Sequence, residues 1–164
     1  MSSQVLSGSI QCPDTLTIPS SGTLTVNGSY INKATSLPSA TALTLTLANS
    51  GTVFYLAQAT ANSTITLPAI AGSAGFHIKV ISTSTGDGAA HTWTISAPTA
   101  VLKGFHDGVA AGIVGTLFGA QTNLIYSATA ANTKAGDFAE FYSDGNFYYV
   151  QARSTGTADG WSTS

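Results

Sequence analysis

Thr64-Ile65-Thr66-Leu67 shows the alternation that decides the fold of this 164-residue chain. The same figure, in which threonine alternates with an apolar residue, occurs four more times. The other copies are Thr15-Leu16-Thr17-Ile18, Thr23-Leu24-Thr25-Val26, Thr44-Leu45-Thr46-Leu47 and Thr92-Trp93-Thr94-Ile95. Because successive side chains of a strand point to opposite faces, each figure places apolar groups on one face and hydroxyls on the other. Threonine is β-branched and favours extended backbone. The pattern therefore predicts half-buried antiparallel strands.

Eight short strands are predicted between residues 42 and 151. They cover residues 42–47, 52–56, 64–67, 75–82, 92–96, 123–127, 139–142 and 146–151. In the fourth strand Phe76, Ile78 and Val80 share one face, which we expect to be the buried one. Ser143-Asp144-Gly145 separates the last two strands and predicts a hairpin. Short strands with regular turn signals are typical of an all-β fold, here an antiparallel β-sandwich or a jelly-roll-like domain.

Three regions are predicted along the chain. Residues 1–40 contain Pro13, Pro19 and Pro38, and proline is unfavourable in a central strand, so this region is predicted to be an extended N-terminal arm or small β-layer. Residues 41–153 are predicted to form the β-sandwich body. Residues 154–164 are rich in serine, threonine and glycine and are predicted to be a flexible tail with Trp161 as its only anchor.

Charge is unusually sparse, at 7% of residues and a net charge of −2, against about 25% charged residues in ordinary soluble domains. Because weak repulsion between copies promotes association, we expect ordered self-assembly; the alternative is a monomer kept in solution by its hydroxyls. The basic residues are scattered along the chain, which argues against nucleic-acid binding and against a polybasic membrane anchor. They are Lys33, Lys79, Lys103, Lys134 and Arg153.

Two further features indicate in which cellular compartment the chain folds. The single cysteine, Cys12, excludes an intrachain disulfide. The first ten residues show no secretory pattern, so we expect folding in the cytoplasm of the producing cell. The apolar, glycine-rich stretch 109–120 is shorter than the roughly 20 residues that a membrane helix needs. It is interpreted as a buried strand and turn region or as a contact with a neighbouring subunit.

Groups that could perform chemistry are few, and we expect neither catalysis nor a cofactor. A metal site built from His91, His106 and Asp107 lacks the usual ligand spacing. Asp137 and Glu140 form the only close acidic pair and are interpreted as solvated turn residues rather than as a catalytic pair.

Aromatic residues are concentrated near the C-terminal hairpin. Alternation along the strands favours core packing on one face and an interface on the other; the alternative is a platform that stacks on sugars or bases. The interface or ligand candidates are Tyr142, Phe147, Tyr148 and Tyr149.

Two stretches resemble a recurring pattern in tailed-bacteriophage virion proteins, namely head-decoration (cement) proteins and fibre-associated domains. The first comprises residues 43–56 followed by 64–81, with Thr64-Ile65-Thr66-Leu67-Pro68 and then Gly75-Phe76. The second, residues 136–150, contains Ser143-Asp144-Gly145 followed by aromatic residues. The resemblance covers about residues 41–151. Phe147-Tyr148 stands where the pattern usually has tryptophan, and the arm lies outside the pattern.

The resemblance implies a non-enzymatic homotrimer on the capsid surface of the virion, bound to the major capsid protein lattice and stabilising it. We expect arm residues to contact the capsid or a neighbouring subunit. These residues are Thr15, Leu16, Thr17, Ile18, Thr23, Leu24, Thr25 and Val26. One alternative is a receptor- or carbohydrate-binding fibre domain with a platform of Trp93, Tyr142, Tyr148 and Tyr149. A second alternative is a minor protein of the capsid lattice.

Overall fold

A computed structural model of the chain describes residues 34–57, 60–84, 91–108, 115–127, 134–156 and 160–164. In these ranges the regular structure is almost entirely strand, apart from a short 3-10 turn at Leu47–Asn49. The strands are β1 (Ala34–Leu37), β2 (Ala42–Thr44), β3 (Thr52–Leu56), β4 (Ser63–Thr66), β5 (His77–Ser82), β6 (Thr92–Ser96), β7 (Leu102–Gly108), β8 (Thr116–Gln121), β9 (Asn123–Ser127), β10 (Phe138–Ser143), β11 (Tyr148–Ser154) and β12 (Trp161–Thr163).

Two sheets pack face to face. The large sheet has seven strands in the order β1-β3-β5-β10-β11-β7-β8, and the small sheet has five in the order β12-β9-β6-β4-β2. The predicted all-β sandwich is therefore confirmed. The predicted hairpin is also present, since β10 and β11 pair antiparallel from Phe138↔Arg153 to Ser143↔Tyr148.

The strands are not all antiparallel, and here the expectation was wrong. Parallel pairs join β1 to β3, β3 to β5, β2 to β4, β4 to β6 and β11 to β7. The reason is the path of the chain: β1 to β6 alternate between the large and the small sheet, so the chain returns to each sheet beside its previous strand and in the same direction. The sheets are therefore mixed, unlike the antiparallel sheets of a jelly roll.

The core lies between the inner faces of the two sheets, where Trp93, Tyr148, Phe54 and Phe141 are among the largest fully buried side chains. The threonine figures behave as predicted where the structure describes them: Ile65 is buried between the outward-facing Thr64 and Thr66. In the copy at residues 44–47 the alternation of exposed and buried side chains does not extend to the last residue. The strand stops at Thr44, the 3-10 turn follows, and Leu47 is 49% exposed.

Two described strands lie outside the predicted body of residues 41–153. β1 lies within the predicted arm, yet it pairs with β3 along its whole length at the edge of the large sheet. β12 lies within the predicted flexible tail, yet it pairs with β9. Trp161 is buried against Tyr126, with ring centroids 4.6 Å apart, and its indole N–H donates to the carbonyl of Arg153. Residues 1–33, which include the rest of the predicted arm, lie outside the described residues.

The antiparallel pair β7 and β8 was not predicted, and the described end of the glycine-rich stretch is exposed rather than buried. Gly104 has φ +155°, and a Cβ there would lie 1.9 Å from the carbonyl oxygen of Val150 in β11. Only glycine permits this close approach. No helix among the described residues has the length and hydrophobicity required to cross a membrane.

A candidate interaction face on the large sheet

The outer faces of the two sheets differ sharply in chemistry. Strand register places mostly hydroxyl and amide side chains on the outer face of the small sheet. They are Thr64, Thr66, Thr92, Thr94, Ser96, Asn123, Ser127 and Ser162, with Ile125 among them. Such a face is well matched to water because each hydroxyl can exchange hydrogen bonds with solvent.

The outer face of the large sheet is rich in aromatic and aliphatic groups that form three rows across the strands. The first row is His77, Tyr142, Tyr149 and Lys103; the second is Val53, Lys79, Glu140, Gln151, Phe105 and Leu117; the third is Tyr55, Ile81, Phe138, Arg153 and Asp107. Four of the five exposed large hydrophobic side chains among the described residues lie here. They are Tyr55 (36% exposed), Tyr142 (51%), Tyr149 (47%) and Leu117 (83%).

An ion pair lies near the middle of this face. Lys79 Nζ is 2.7 Å from Glu140 Oε1 and 4.3 Å from the centroid of the Phe138 ring. Tyr142 donates its hydroxyl to Glu140 Oε2 at 3.1 Å. Partial burial and then the charge of Glu140 raise the pKa of Tyr142, which therefore remains a neutral donor. Both carboxylate oxygens of Glu140 thus have partners within the chain.

The turn after β10 holds the second exposed tyrosine. Asp144 Oδ1 accepts hydrogen bonds from the backbone N–H groups of Phe147 and Asn146, and Oδ2 accepts the hydroxyl of Tyr149 at 3.1 Å. The N–H of Phe147 and then that of Asn146 lower the pKa of Asp144. The hydrogen bond to Asp144 raises the pKa of Tyr149. Lys103 Nζ lies 3.3 Å from the centroid of the Phe147 ring. These contacts fix the turn after β10 and the aromatic side chains beside it.

Two shallow hollows interrupt the face. One, of about 290 Å³, is lined by Gly104, Phe105, Tyr142, Tyr149, Val150 and Gln151. The other, of about 160 Å³, lies beside the ion pair and is lined in part by His77, Lys79, Glu140 and Tyr142. Tyr142 lines both hollows, and its ring lies nearly parallel to that of His77, with centroids 6.2 Å apart.

The predicted aromatic site residues divide between the core and the surface. Tyr142 and Tyr149 lie on the outer face of the large sheet, and Phe147 is partly exposed beneath Lys103. Tyr148 and Trp93 are buried, and Tyr148 donates its hydroxyl to the carbonyl of Pro68 at 3.0 Å. A ligand platform that includes these two residues is therefore wrong, because neither can reach a ligand. The predicted arm contacts, Thr15 to Ile18 and Thr23 to Val26, lie outside the described residues.

Asp137 is not a solvated turn residue as predicted, since it is 1% exposed. Its Oδ2 accepts hydrogen bonds from the Tyr126 hydroxyl and the Lys134 N–H, and its Oδ1 accepts the N–H and the hydroxyl of Thr155. Glu140 is partly buried in the ion pair described above. Asp137 therefore ties β9 of the small sheet to the chain segments that flank β10 and β11.

The described part of the chain contains no group of three histidine, cysteine, aspartate or glutamate side chains arranged to hold a metal ion. His106 and Asp107, considered above with His91 as a metal site that lacks the usual ligand spacing, lie on opposite faces of β7: His106 is buried on the inner face and Asp107 belongs to the outer third row.

Three members of the face were missed from the sequence. Tyr55 alternates with the buried Phe54 in β3, a signal that was available. Phe105 and Leu117 lie on β7 and β8, which were not predicted as strands. Comparison with protein-family models and with curated proteins finds no match to this chain.

Proposed function

We propose that this chain is a structural protein of a tailed-phage virion, a decoration protein that binds the outside of an assembled head as a homotrimer. The two stretches that resemble such proteins are distant in sequence but adjacent in the fold. The first supplies β3 and β5 of the large sheet and β4 of the small sheet, and the second supplies β10 and β11. In the large sheet the two stretches meet where β5 pairs with β10 from Phe138↔Ile81 to Tyr142↔His77.

The outer face of the large sheet is the observation that carries the proposal. An aromatic face with an internally paired charge cluster, opposite a face of hydroxyls, is typical of a protein that functions by contact. A protein that binds the assembled shell and not the free subunits stabilises the shell by mass action, and it needs no catalytic group for this. The proposed partners are further copies of this chain, in the homotrimer, and the lattice of the major capsid protein.

The arm residues remain part of the proposal. In full-length protein, Leu16→Ser with Leu24→Ser removes one of the two apolar side chains from each of two threonine figures. We expect this variant to bind undecorated shells at least about tenfold more weakly, because each lost leucine contact is worth roughly 1.5–3 kcal/mol. Thr17→Ser with Thr25→Ser is the matched control, since it keeps the hydroxyls and leaves both leucines in place. Co-sedimentation with shells measures binding, and equal binding by both variants would contradict an arm contact.

A second candidate is a carbohydrate-binding fibre domain, which the hollow between Tyr142 and Tyr149 favours. Two half-exposed rings beside the Gln151 amide combine a stacking surface with a polar group. This candidate requires saturable glycan binding that Tyr149→Ala abolishes while the unfolding curve stays unchanged. Saturable binding to shells without glycan binding would favour decoration.

A further inference from the structure

We infer that the outer face of the large sheet is the surface on which copies of this chain contact each other. The occupant is a second copy, which turns the same face toward a shared symmetry axis. The inference rests on the self-association in the proposed function and is independent of what the assembly binds.

The size of the face suits a stable interface. The longest row crosses six strands about 4.8 Å apart and so spans about 29 Å, and three rows of outward residues extend about 20 Å along the strands. The projected area is therefore about 580 Å², to which the relief of the side chains adds accessible area. A standard interface needs about 800 Å² of accessible surface from each partner. The face thus approaches the size that one such contact needs.

Several polar groups of the face are paired within the chain. Lys79, Glu140 and Tyr142 bond to one another, and Tyr149 is bonded to Asp144. Asp107 differs, because its Oδ1 is buried without a hydrogen-bond partner. Removing water from the internally paired cluster costs less than burying a lone charge, so this part of the face can be covered by another chain.

The charges on the face indicate which partner fits. Three cationic residues (Lys79, Lys103 and Arg153) and two anionic ones (Glu140 and Asp107) are interspersed. No field of one sign exists to attract a strongly acidic or basic partner. A second copy offers the same mixture of aromatic groups and balanced charge, whereas the outer face of the small sheet offers mainly hydroxyls.

The edge of the large sheet supports the same conclusion. The second row ends on the edge strand β8 at Leu117, which is 83% exposed. Natural edge strands are usually protected by charge, proline or short length. β8 has six residues and neither a charge nor a proline, whereas the other described edge strands have three or four residues. Contact between copies at this side of the face would cover Leu117.

The test compares full-length variants that carry one new lysine on the outer face of the large sheet with a variant that carries one on the outer face of the small sheet. Gln151→Lys and Leu117→Lys alter exposed positions in the second row, and Thr64→Lys is the matched control at an exposed position on the small sheet. Light scattering on a sizing column and sedimentation across a range of concentrations measure the mass. Urea unfolding monitors the fold.

Wild-type protein and Thr64→Lys should have a mass near three times 16.6 kDa. At least one of the two face variants should dissociate about 100-fold more readily, since an unpaired charge is poorly tolerated in a buried interface. The inference is overturned if the wild type is monomeric, if both face variants keep the wild-type mass, or if only Thr64→Lys dissociates. Binding to undecorated shells, measured separately, tests the proposed function. A face variant of unchanged mass that no longer binds shells would overturn the inference and leave the decoration role standing.

Discussion

Replacing Asp137 by asparagine tests the buried carboxylate that ties the two sheets together. Each of its oxygens accepts two hydrogen bonds, at 2.7–2.9 Å, and all four donors come from Tyr126, Lys134 and Thr155. Asparagine has nearly the same shape but only one acceptor oxygen. Whichever way the amide is turned, its NH2 group faces one backbone N–H, which cannot accept a hydrogen bond, and one hydroxyl, which can turn and accept one.

The magnitude follows from this geometry. A hydrogen bond to a charged group contributes about 1.5–3 kcal/mol, and the bond from one backbone N–H is lost in the variant. We therefore expect Asp137→Asn to lower the free energy of unfolding by about 1.5–3 kcal/mol, a substantial part of the roughly 5–15 kcal/mol typical of a domain. For a chain of this size, the melting temperature should fall by about 3–12 °C.

Urea unfolding of wild type and variant at the same protomer concentration measures the difference. Asp144→Asn is the matched control. There one oxygen accepts both backbone N–H groups, and the asparagine oxygen can keep them. The control should lose much less stability than Asp137→Asn. A loss below about 1 kcal/mol for Asp137→Asn would refute the reasoning, because a solvated turn residue would behave in that way.

Three other predictions concern the same sandwich. Gly104→Ala should lower stability by about 3 kcal/mol or more, since its Cβ would collide with the carbonyl of Val150; urea unfolding measures this. Trp161→Ala should cost about 3–5 kcal/mol, because the indole is buried in the sandwich, and a wild-type unfolding curve would show that the last strand adds nothing. The N–H of Phe147 lowers the pKa of Asp144, so this stabilising contribution is present at neutral pH and is lost as the pH falls below about 4. Asp144→Asn should therefore flatten the acid side of the stability profile, and an unchanged slope would contradict it.

Period-two alternation was sufficient to find strands and their faces in much of the body. The bounds of β3, β6 and β9 coincide with the predictions. Phe76, directly before β5, and Ile78 and Val80 within it face the core as expected. Alternation gives the face of each residue but not the partner of each strand, since parallel and antiparallel strands have the same period. The parallel pairs therefore depend on the path of the chain between the sheets, which no local pattern encodes.

The candidate face was only partly predictable for the same reason. The aromatic hairpin indicated one core face and one exposed face, but not which alternate residues of β11 face the core. In the structure Tyr148 points inward and Tyr149 outward. The turn that Asp144 stabilises determines this choice. Asp137 beside Gly136 looked like an ordinary turn, because the donors that surround it come from Tyr126 and Thr155, 11 and 18 residues away. Contacts of that range are invisible to a local pattern.

The alternation of β1 to β6 between the two sheets has a consequence for how the chain folds. None of these strands pairs with the strand next to it in sequence, so the first half of the described chain contains no hairpin to form early. The hairpin of β10 and β11 and the pair β7 and β8 have the shortest loops to close, so they have the lowest entropic barrier. The N-terminal strands must then add outward from β10, through β5, β3 and β1. During synthesis the N-terminal strands, which are made first, therefore cannot complete their pairing until the C-terminal strands have been made.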